Sequence, residues 1–322
     1  MPRTAELLKE MQAYSLEDKV QITKARIWDF YEFAKNNDHA CHVSFSGGKD
    51  STVLLHIARQ IYPDMKAVFC DTGLEYPEIK DFVHTFPNVD TIRPTMNFKE
   101  VLEKYGYCFP TKEIAHRIES ARKGAHGLKW FNGDYFTNKK GYLYMMAINN
   151  KHHLDDPFIY TSKCCNVMKK APFHKYERAN KSYPIYATLA EESIRRQTNW
   201  KRNGCNNTSS VRPNSQPMAI WTNQDILRYL QLNNLPICSI YGQIVEINGK
   251  LTTTEANRTG CIFCVAGIKI ENRNTKRLNR FERLAQTHPA LHKYCMHTLG
   301  LKAFLDYHKI RTGYDKYYQT HI

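Results

Sequence analysis

Three short stretches hold residue types whose order and spacing suit chemistry. Ser46-Gly47-Gly48-Lys49-Asp50-Ser51 follows an apolar run and precedes a helical pattern. Two glycines let the backbone turn tightly and bring amides close to an anion. The helix start that follows adds unpaired N–H groups and the positive end of a dipole. Ser46 and Ser51 bring hydroxyls, and Lys49 brings a charge. This is not a Walker A loop, because Asp50 follows Lys49 where Ser or Thr is required.

The second stretch is split. Cys164-Cys165 and Cys261-Ile262-Phe263-Cys264 are separated by 95 residues. A C-x-x-C pair alone serves a redox dithiol, half a zinc site or half an iron–sulfur site. Neighbouring residues on a helix point about 100° apart. Two such thiolates are poorly placed to complete one tetrahedral zinc, whereas a cluster presents separate irons. The adjacent pair therefore favours iron–sulfur. The third stretch is Glu191-Glu192-Ser193-Ile194-Arg195-Arg196, where Arg196 is suited to gripping a phosphate bidentately.

These residues need elements to place them. Ala40 to Phe45 reads as a buried strand and Thr52 to Tyr62 as a helix ended by Pro63. Lys66 to Cys70 reads as a second strand, closing on Asp71-Thr72-Gly73. Pro77 to Phe86 is helical, Val89 to Ile92 a third strand, Phe98 to Tyr105 a helix and Pro184 to Thr188 a further strand. Alternation of this kind predicts an α/β fold with a parallel sheet covered by helices on both faces. Residues 5–37, Thr222 to Leu232 and the basic region from 268 onward read as helical. Residues 107–160 read as an insertion, with one helix over Thr111 to Lys123 and then a polar, Gly- and Asn-rich segment. The expected segments are 1–38 helical, 39–265 nucleotide-binding with the cysteines, and 266–322 basic and helical.

The chain has 322 residues and a formal net charge of +15. Such a field draws polyanions and anionic nucleotides. Lys269, Arg273, Lys276, Arg277, Arg280 and Arg283 form the densest basic run, equally suited to a nucleic-acid face or a solvated helix. His288, His292 and His297 read as scattered helix-surface histidines. No apolar run approaches the roughly 18 residues of a membrane span, so no membrane partner is expected. The first residues lack a secretory pattern, which sets a cytoplasmic, thiol-reducing compartment as the expectation for the ten cysteines.

The motifs carry a family resemblance. Ser46 to Ser51, with Asp71-Thr72-Gly73-Leu74-Glu75-Tyr76-Pro77-Glu78, resembles the N-type ATP pyrophosphatases (the PP-loop superfamily), which share a fold with the sulfonucleotide (APS and PAPS) reductases. The resemblance implies an adenine-nucleotide alpha-hydrolase-like, Rossmann-like sheet. It also implies a nucleotide across the strand ends, near Ser44, Phe45, Ser46, Gly47, Gly48, Lys49, Asp50, Ser51, Asp71, Thr72 and Gly73.

Cys164-Cys165 with Lys169-Lys170 and Pro172 is similar to the Cys-Cys, basic pair, Pro segment of the iron–sulfur reductases. Pro217 to Thr222, Asp225, Tyr229, Leu235-Pro236, Tyr241-Gly242 and Gly260-Cys261 follow in the family's order. This implies a 4Fe-4S cluster on Cys164, Cys165, Cys261 and Cys264. Glu192-Ser193 to Arg196 resembles an element of the DndC-like ATP pyrophosphatases of DNA phosphorothioation, with Leu189 where an Arg is usual.

The reductases attack with a cysteine in a C-terminal E-C-G-x-H motif, whereas Cys295 stands here in Lys293-Tyr294-Cys295-Met296-His297. The expected reaction is therefore cleavage of ATP between its α and β phosphates, with adenylation of an acceptor. Lys49, Asp50, Arg196 and Mg²⁺ arriving with ATP would be the catalytic groups. Sulfur transfer would follow, with DNA or RNA as acceptor and a sulfur-donor protein as partner. Sulfonucleotide reduction is the alternative, and nucleotide-sensing DNA binding without turnover is the third reading.

Overall fold

The computed structural model describes residues 3–314; residues 315–322 of the basic C-terminal region lie outside the described residues. The chain groups into two compact units, each assembled from several stretches. One comprises the chain up to Asp71, Glu75–Pro94 and Ala171–Thr259; the other comprises Thr72–Leu74, Thr95–Lys170 and the chain from Gly260 on.

The first unit is built on a six-stranded sheet. Its strands are β1 (Ala40–Ser44), β2 (Lys66–Cys70), β3 (Val89–Ile92), β4 (Ser182–Ile185), β5 (Asn206–Asn207) and β6 (Asn214–Ser215), in the spatial order β3-β2-β1-β4-β6-β5. All neighbours are parallel except β5 with β6. Side chains alternate across a strand. Cys41 and Val43 of β1 enter the main apolar core, while His42 between them meets Phe173 and Tyr176 of the helix Ala171–Ala179. Both faces of the sheet are thus covered, as an all-parallel core requires.

The chain runs outward from β1 through β2 to β3, then returns to the other side of β1 as β4. That reversal creates a switch point, where the loops after β1 and β4 meet at the strands' carboxyl ends. The long helix Leu16–Asn36 and the helix Lys49–Ile61 bury Ile27, Phe30, Val53, Leu54 and Ile57 against the core. The family-motif residue Asp225 turns out to be structural. Its carboxylate closes a capping box with Thr222 and takes the buried Lys19 ammonium at 2.7 Å.

The second unit is mainly helical. Here the structure corrects one expectation: the stretch after Lys123 is not polar loop but carries the helices Ala125–Asn132 and Tyr142–Asn150. Trp130, Phe131 and Ala147 are buried and anchor them. Sparse apolar anchors among Gly and Asn hide such short helices from a periodicity reading. Among the described residues, no helix is long and apolar enough to cross a membrane.

Candidate functional sites: a phosphate loop and a cysteine cavity

The loop after β1 is held open by its own side chains. Gly47 has φ +67°, and a Cβ there would lie 2.8 Å from Val83 Cγ2; only glycine fits. The Ser51 hydroxyl donates to the Gly48 carbonyl (2.9 Å) and accepts from the Ser46 amide (3.2 Å). Ser51 is therefore a brace inside the loop, and Ser46 is the hydroxyl exposed to solvent. Gly48 is the N-cap of Lys49–Ile61 and offers no capping side chain of its own; its amide donates to Ser46 Oγ at 3.3 Å.

The Lys49 amide lies 3.4 Å from the Tyr241 hydroxyl, which also bonds Thr259 Oγ1 at 3.0 Å. Burial pushes the Tyr241 phenol up to about 12, so it stays a neutral donor. The Lys49 ammonium is buried beside the Asp50 carboxylate at 3.0 Å. Ser44 sits at the end of β1 with its hydroxyl buried and without a hydrogen-bond partner.

Beyond β4, Glu192 pairs with Arg196 and, at 2.5 Å, with Arg258. Two guanidiniums on one carboxylate leave a net positive charge at the switch point. Ser193 accepts from the Arg196 amide as the N-cap of Ile194–Asn203. Glu191 is spent on the Asn223 amide. At the end of β2, Asp71 is bridged by Lys80 (2.7 Å) and Arg93 (3.3 Å). Asp71 is thus paired twice, whereas Asp50 is paired with Lys49. Thr72 and Gly73 group with the second unit, where Thr72 Oγ1 accepts from the Leu74 amide.

Arg258, Tyr241 and Thr259 were not among the expected site residues. In the sequence Tyr241 is marked only by its place in the family's order, and Arg258, three residues before Cys261, lies in no pattern that marks it.

The second unit gathers cysteines. Cys164, Cys165, Cys261 and Cys264 line one cavity, with Phe98, Leu102, Phe263 and Val265 among its apolar walls. Backbone bonds stitch its segments together. The Tyr107 amide donates to the Ile159 carbonyl (2.8 Å), and the Thr161 amide to the Tyr107 carbonyl (2.9 Å). The Gly267 amide donates to the Pro110 carbonyl (2.8 Å), and Ile262 to Leu74 (2.9 Å). Gly106 allows the first of these: φ is +82°, and a Cβ would lie 2.0 Å from the Ile159 oxygen. Arg280 donates to the Cys264 carbonyl (2.8 Å) and is held by Glu271.

Two residues here had no sequence signal. Cys108 is a fifth thiol on the same wall, and Lys112 is a cation among the sulfurs. Burial pushes Cys108 up to about 12, reinforced by Cys264 and Cys165. Burial likewise pushes Cys164 up, with Cys165, Cys261, Cys264 and Cys108 adding to it. Burial draws the Lys112 ammonium down, but its hydrogen bond to Cys165 and the neighbouring thiols more than reverse this.

The donor set fits an iron–sulfur cluster. It offers four soft sulfurs in an apolar enclosure, with Lys112 and Arg280 to offset negative charge. A zinc site would hold its sulfurs about 3.8 Å apart, from Zn–S bonds near 2.3 Å. Among the described residues, the trio meeting such close ligand spacing is His153, Asp156 and His308, within 4.8 Å of one another, and not the cysteines.

That trio is a hydrogen-bond node rather than a vacant metal centre. His153 Nδ1 meets Asp156 Oδ2 at 2.5 Å, and its Nε2 faces Lys269 Nζ at 3.1 Å. The lysine donates to Nε2, so Nδ1 carries the proton and has no lone pair for an ion. Asp156 also accepts from Tyr160 and from Tyr307 (3.1 Å). Burial draws both His153 and His308 down to about 4.

Cys295, the alternative nucleophile, is fully buried, and that burial pushes its thiol up. Lys293 and His297 do not counter it. No disulfide joins cysteines among the described residues.

With this geometry in hand, the comparisons with known proteins are decisive for the family. The phosphoadenosine phosphosulfate reductase domain model matches residues 40–125 and 135–267. The chain belongs to that family. The PAPS reductase domain thus spans both the phosphate loop and all four expected cluster cysteines.

An uncharacterized protein of Methanocaldococcus jannaschii is 25% identical over 289 residues, covering 84% of this chain and 55% of the relative. The chain therefore spans about half the length of that archaeal protein. The adenosine 5'-phosphosulfate reductase of Lysinibacillus sphaericus is 24% identical over 216 residues, 67% of this chain and 72% of the relative. Among solved structures, the PAPS reductase of Candida auris in its phosphate complex aligns with a TM-score of 0.39 and 11% identity. That alignment covers 78% of this chain and 98% of the other.

Proposed function

We propose that this PAPS-reductase-family protein binds ATP, cleaves it between the α and β phosphates by adenylating an acceptor, and supports sulfur transfer to nucleic acid. The observation that carries the reading is the complete phosphate loop, with Lys49 at its helix start and the Arg196–Glu192–Arg258 cluster at the same switch point. A sulfonucleotide has no β,γ-pyrophosphate for such a loop to grip.

In the proposed reaction an acceptor oxygen attacks the α-phosphorus. The Pα–O bond to the β-phosphate breaks, and pyrophosphate departs with the electron pair. Lys49 and the loop amides stabilise that charge. Arg196 and Arg258 take phosphate oxygens in place of the Glu192 carboxylate, and Asp50 meets the Mg²⁺ that ATP brings. The outer sulfur of a donor protein's persulfide then attacks the adenylated position and AMP leaves with the electron pair; a second thiol of the donor attacks the donor-side sulfur of the resulting disulfide, forming a donor disulfide and releasing the thiolated acceptor. Cys164, Cys165, Cys261 and Cys264 would hold the 4Fe-4S cluster, which when bound supplies redox or sulfur-binding chemistry.

Sulfonucleotide reduction is the second reading, favoured by the name of the Lysinibacillus relative. The burial of Cys295 weighs against that residue as its nucleophile. Competition between ATP and PAPS or APS, with Mg²⁺ and on protein purified without oxygen, tests the choice. ATP displacing the sulfonucleotides, with pyrophosphate released in the presence of oligonucleotide, is the expected result. Tighter sulfonucleotide binding with sulfite release would replace the first reading by the second.

A further inference from the structure

Half of the chain's densest basic run is already engaged, while Arg273, Lys276 and Arg277 stay exposed. Arg280 and Arg283 are tied to Glu271, Arg311 to Glu282 and Lys269 to His153. A polyanion surface must draw on cations that are not already paired. Residues 125–151 supply further ones, with four lysines against one acid, Asp134. Lys129, Lys139 and Lys140 are exposed and enter no ion pair among the described residues.

The same stretch exposes apolar and aromatic side chains. Tyr142 is 79% exposed, Leu143 55% and Met145 43%. Tyr142, Met145 and Asn149 recur along one face of the helix Tyr142–Asn150, while Ala147 faces inward. Lys139 and Lys140 come just before that helix. A solvent-exposed ring flanked by unpaired lysines is the pairing that single strands use: bases stack on the ring while cations track the backbone. A protein partner's apolar patch would gain nothing from the lysines, and duplex DNA hides its base faces.

We propose that the Lys139–Met145 surface, with Tyr142 as its stacking platform, binds single-stranded nucleic acid. This rests on the reading of nucleic acid as the acceptor and places its docking surface on residues 139–145 of the second unit rather than on the C-terminal basic run.

The test is fluorescence anisotropy of full-length protein with labelled single-stranded and duplex oligonucleotides across a salt series, without ATP. Tyr142→Ala should weaken single-strand binding about 5-fold or more and leave the salt slope unchanged. Tyr142→Phe should restore it. The Lys139→Glu, Lys140→Glu pair should weaken binding more than 10-fold. It should also flatten the log–log salt slope by about 1.4, at about 0.7 per lost phosphate contact. The Lys276→Glu, Arg277→Glu pair should change affinity less than 2-fold.

Loss of binding in that last pair with retention in the helix variants would overturn the placement. So would a preference for duplex, or binding of anionic phosphatidylserine vesicles in place of oligonucleotide. Because no nucleotide is present, these failures stay separate from failure of the adenylation chemistry, which pyrophosphate release measures.

Discussion

Around Ser46–Ser51 the chain leaves helix N–H groups without a capping side chain, at the carboxyl end of a buried parallel strand. Around Cys164, Cys165, Cys261 and Cys264 it walls sulfur behind Phe98, Leu102 and Phe263. The first region presents backbone polarity, which suits an ionic ligand. The second shields soft ligands from water, as a resident group requires. The loop is written in six consecutive residues; the cavity is assembled from segments more than 150 residues apart and held by backbone bonds between them.

The sharpest way to break this comparison is to remove a sulfur. Cys261→Ser should reduce iron and acid-labile sulfide, after anaerobic purification, to about a tenth or less of wild type, while ATP affinity stays within a few-fold. Retained iron would mean that Cys108 or another donor replaces it. The next effect is on the scaffold of the first unit. Asp225→Ala strands the buried Lys19 ammonium and opens the capping box of Asn223–Leu232. A loss of about 3–5 kcal/mol in denaturant titration is expected. A loss under 1 kcal/mol would mean that the Gln12 carbonyl, which takes the same ammonium at 2.6 Å, suffices for it.

Legibility followed the same divide. The strands Lys66–Cys70 and Val89–Ile92 and the helix Phe98–Tyr105 lie where hydrophobic pattern and breakers placed them. The loop was readable because its six residues are consecutive in the chain. Lys112 and Cys108 were not readable: nothing in their own neighbourhood marks them, and only tertiary stitching brings them beside Cys165. The Glu192–Arg258 pair is similar, since 65 residues separate its members. Ser193 and Asp225 carry the opposite lesson. Both belong to recognisable motifs, yet their side chains cap helices.

Smaller effects sharpen the reading of the loop. Lys49→Ala should lower the rate of pyrophosphate release about 100-fold, the size typical of a lost charge-stabilising donor. Unchanged turnover would remove Lys49 from the chemistry. Arg258→Ala should cost about 10-fold in nucleotide affinity, because Arg196 still offers a guanidinium to phosphate. An Arg258→Ala, Arg196→Ala pair should exceed either change alone, and a null effect on nucleotide binding would assign both arginines to Glu192 alone.

Acid separates the two regions most gently. Histidines held neutral by burial bind fewer protons folded than unfolded, so they favour folding above their ordinary pKa near 6.5. That contribution is lost as pH falls from about 6.5 to about 4. The first unit has His42 in this state, at about 4, with Ser182 as its partner at Nδ1. The second has His153 and His308 in one node, both at about 4.

Asp156 works in a lower window. Burial pushes its carboxyl up, but hydrogen bonds from Tyr160 and His153 hold it below the ordinary range, so it stays ionised while the histidines charge. Protonating His153 would also set a second cation against Lys269. Hydrogen exchange read by peptide mass spectrometry, stepped from pH 7 to pH 5 and corrected for intrinsic rates, should show protection falling further in peptides around 153–160 and 301–310 than in β1 and β4. Equal loss in both would mean that the node does not govern the acid response of the second unit.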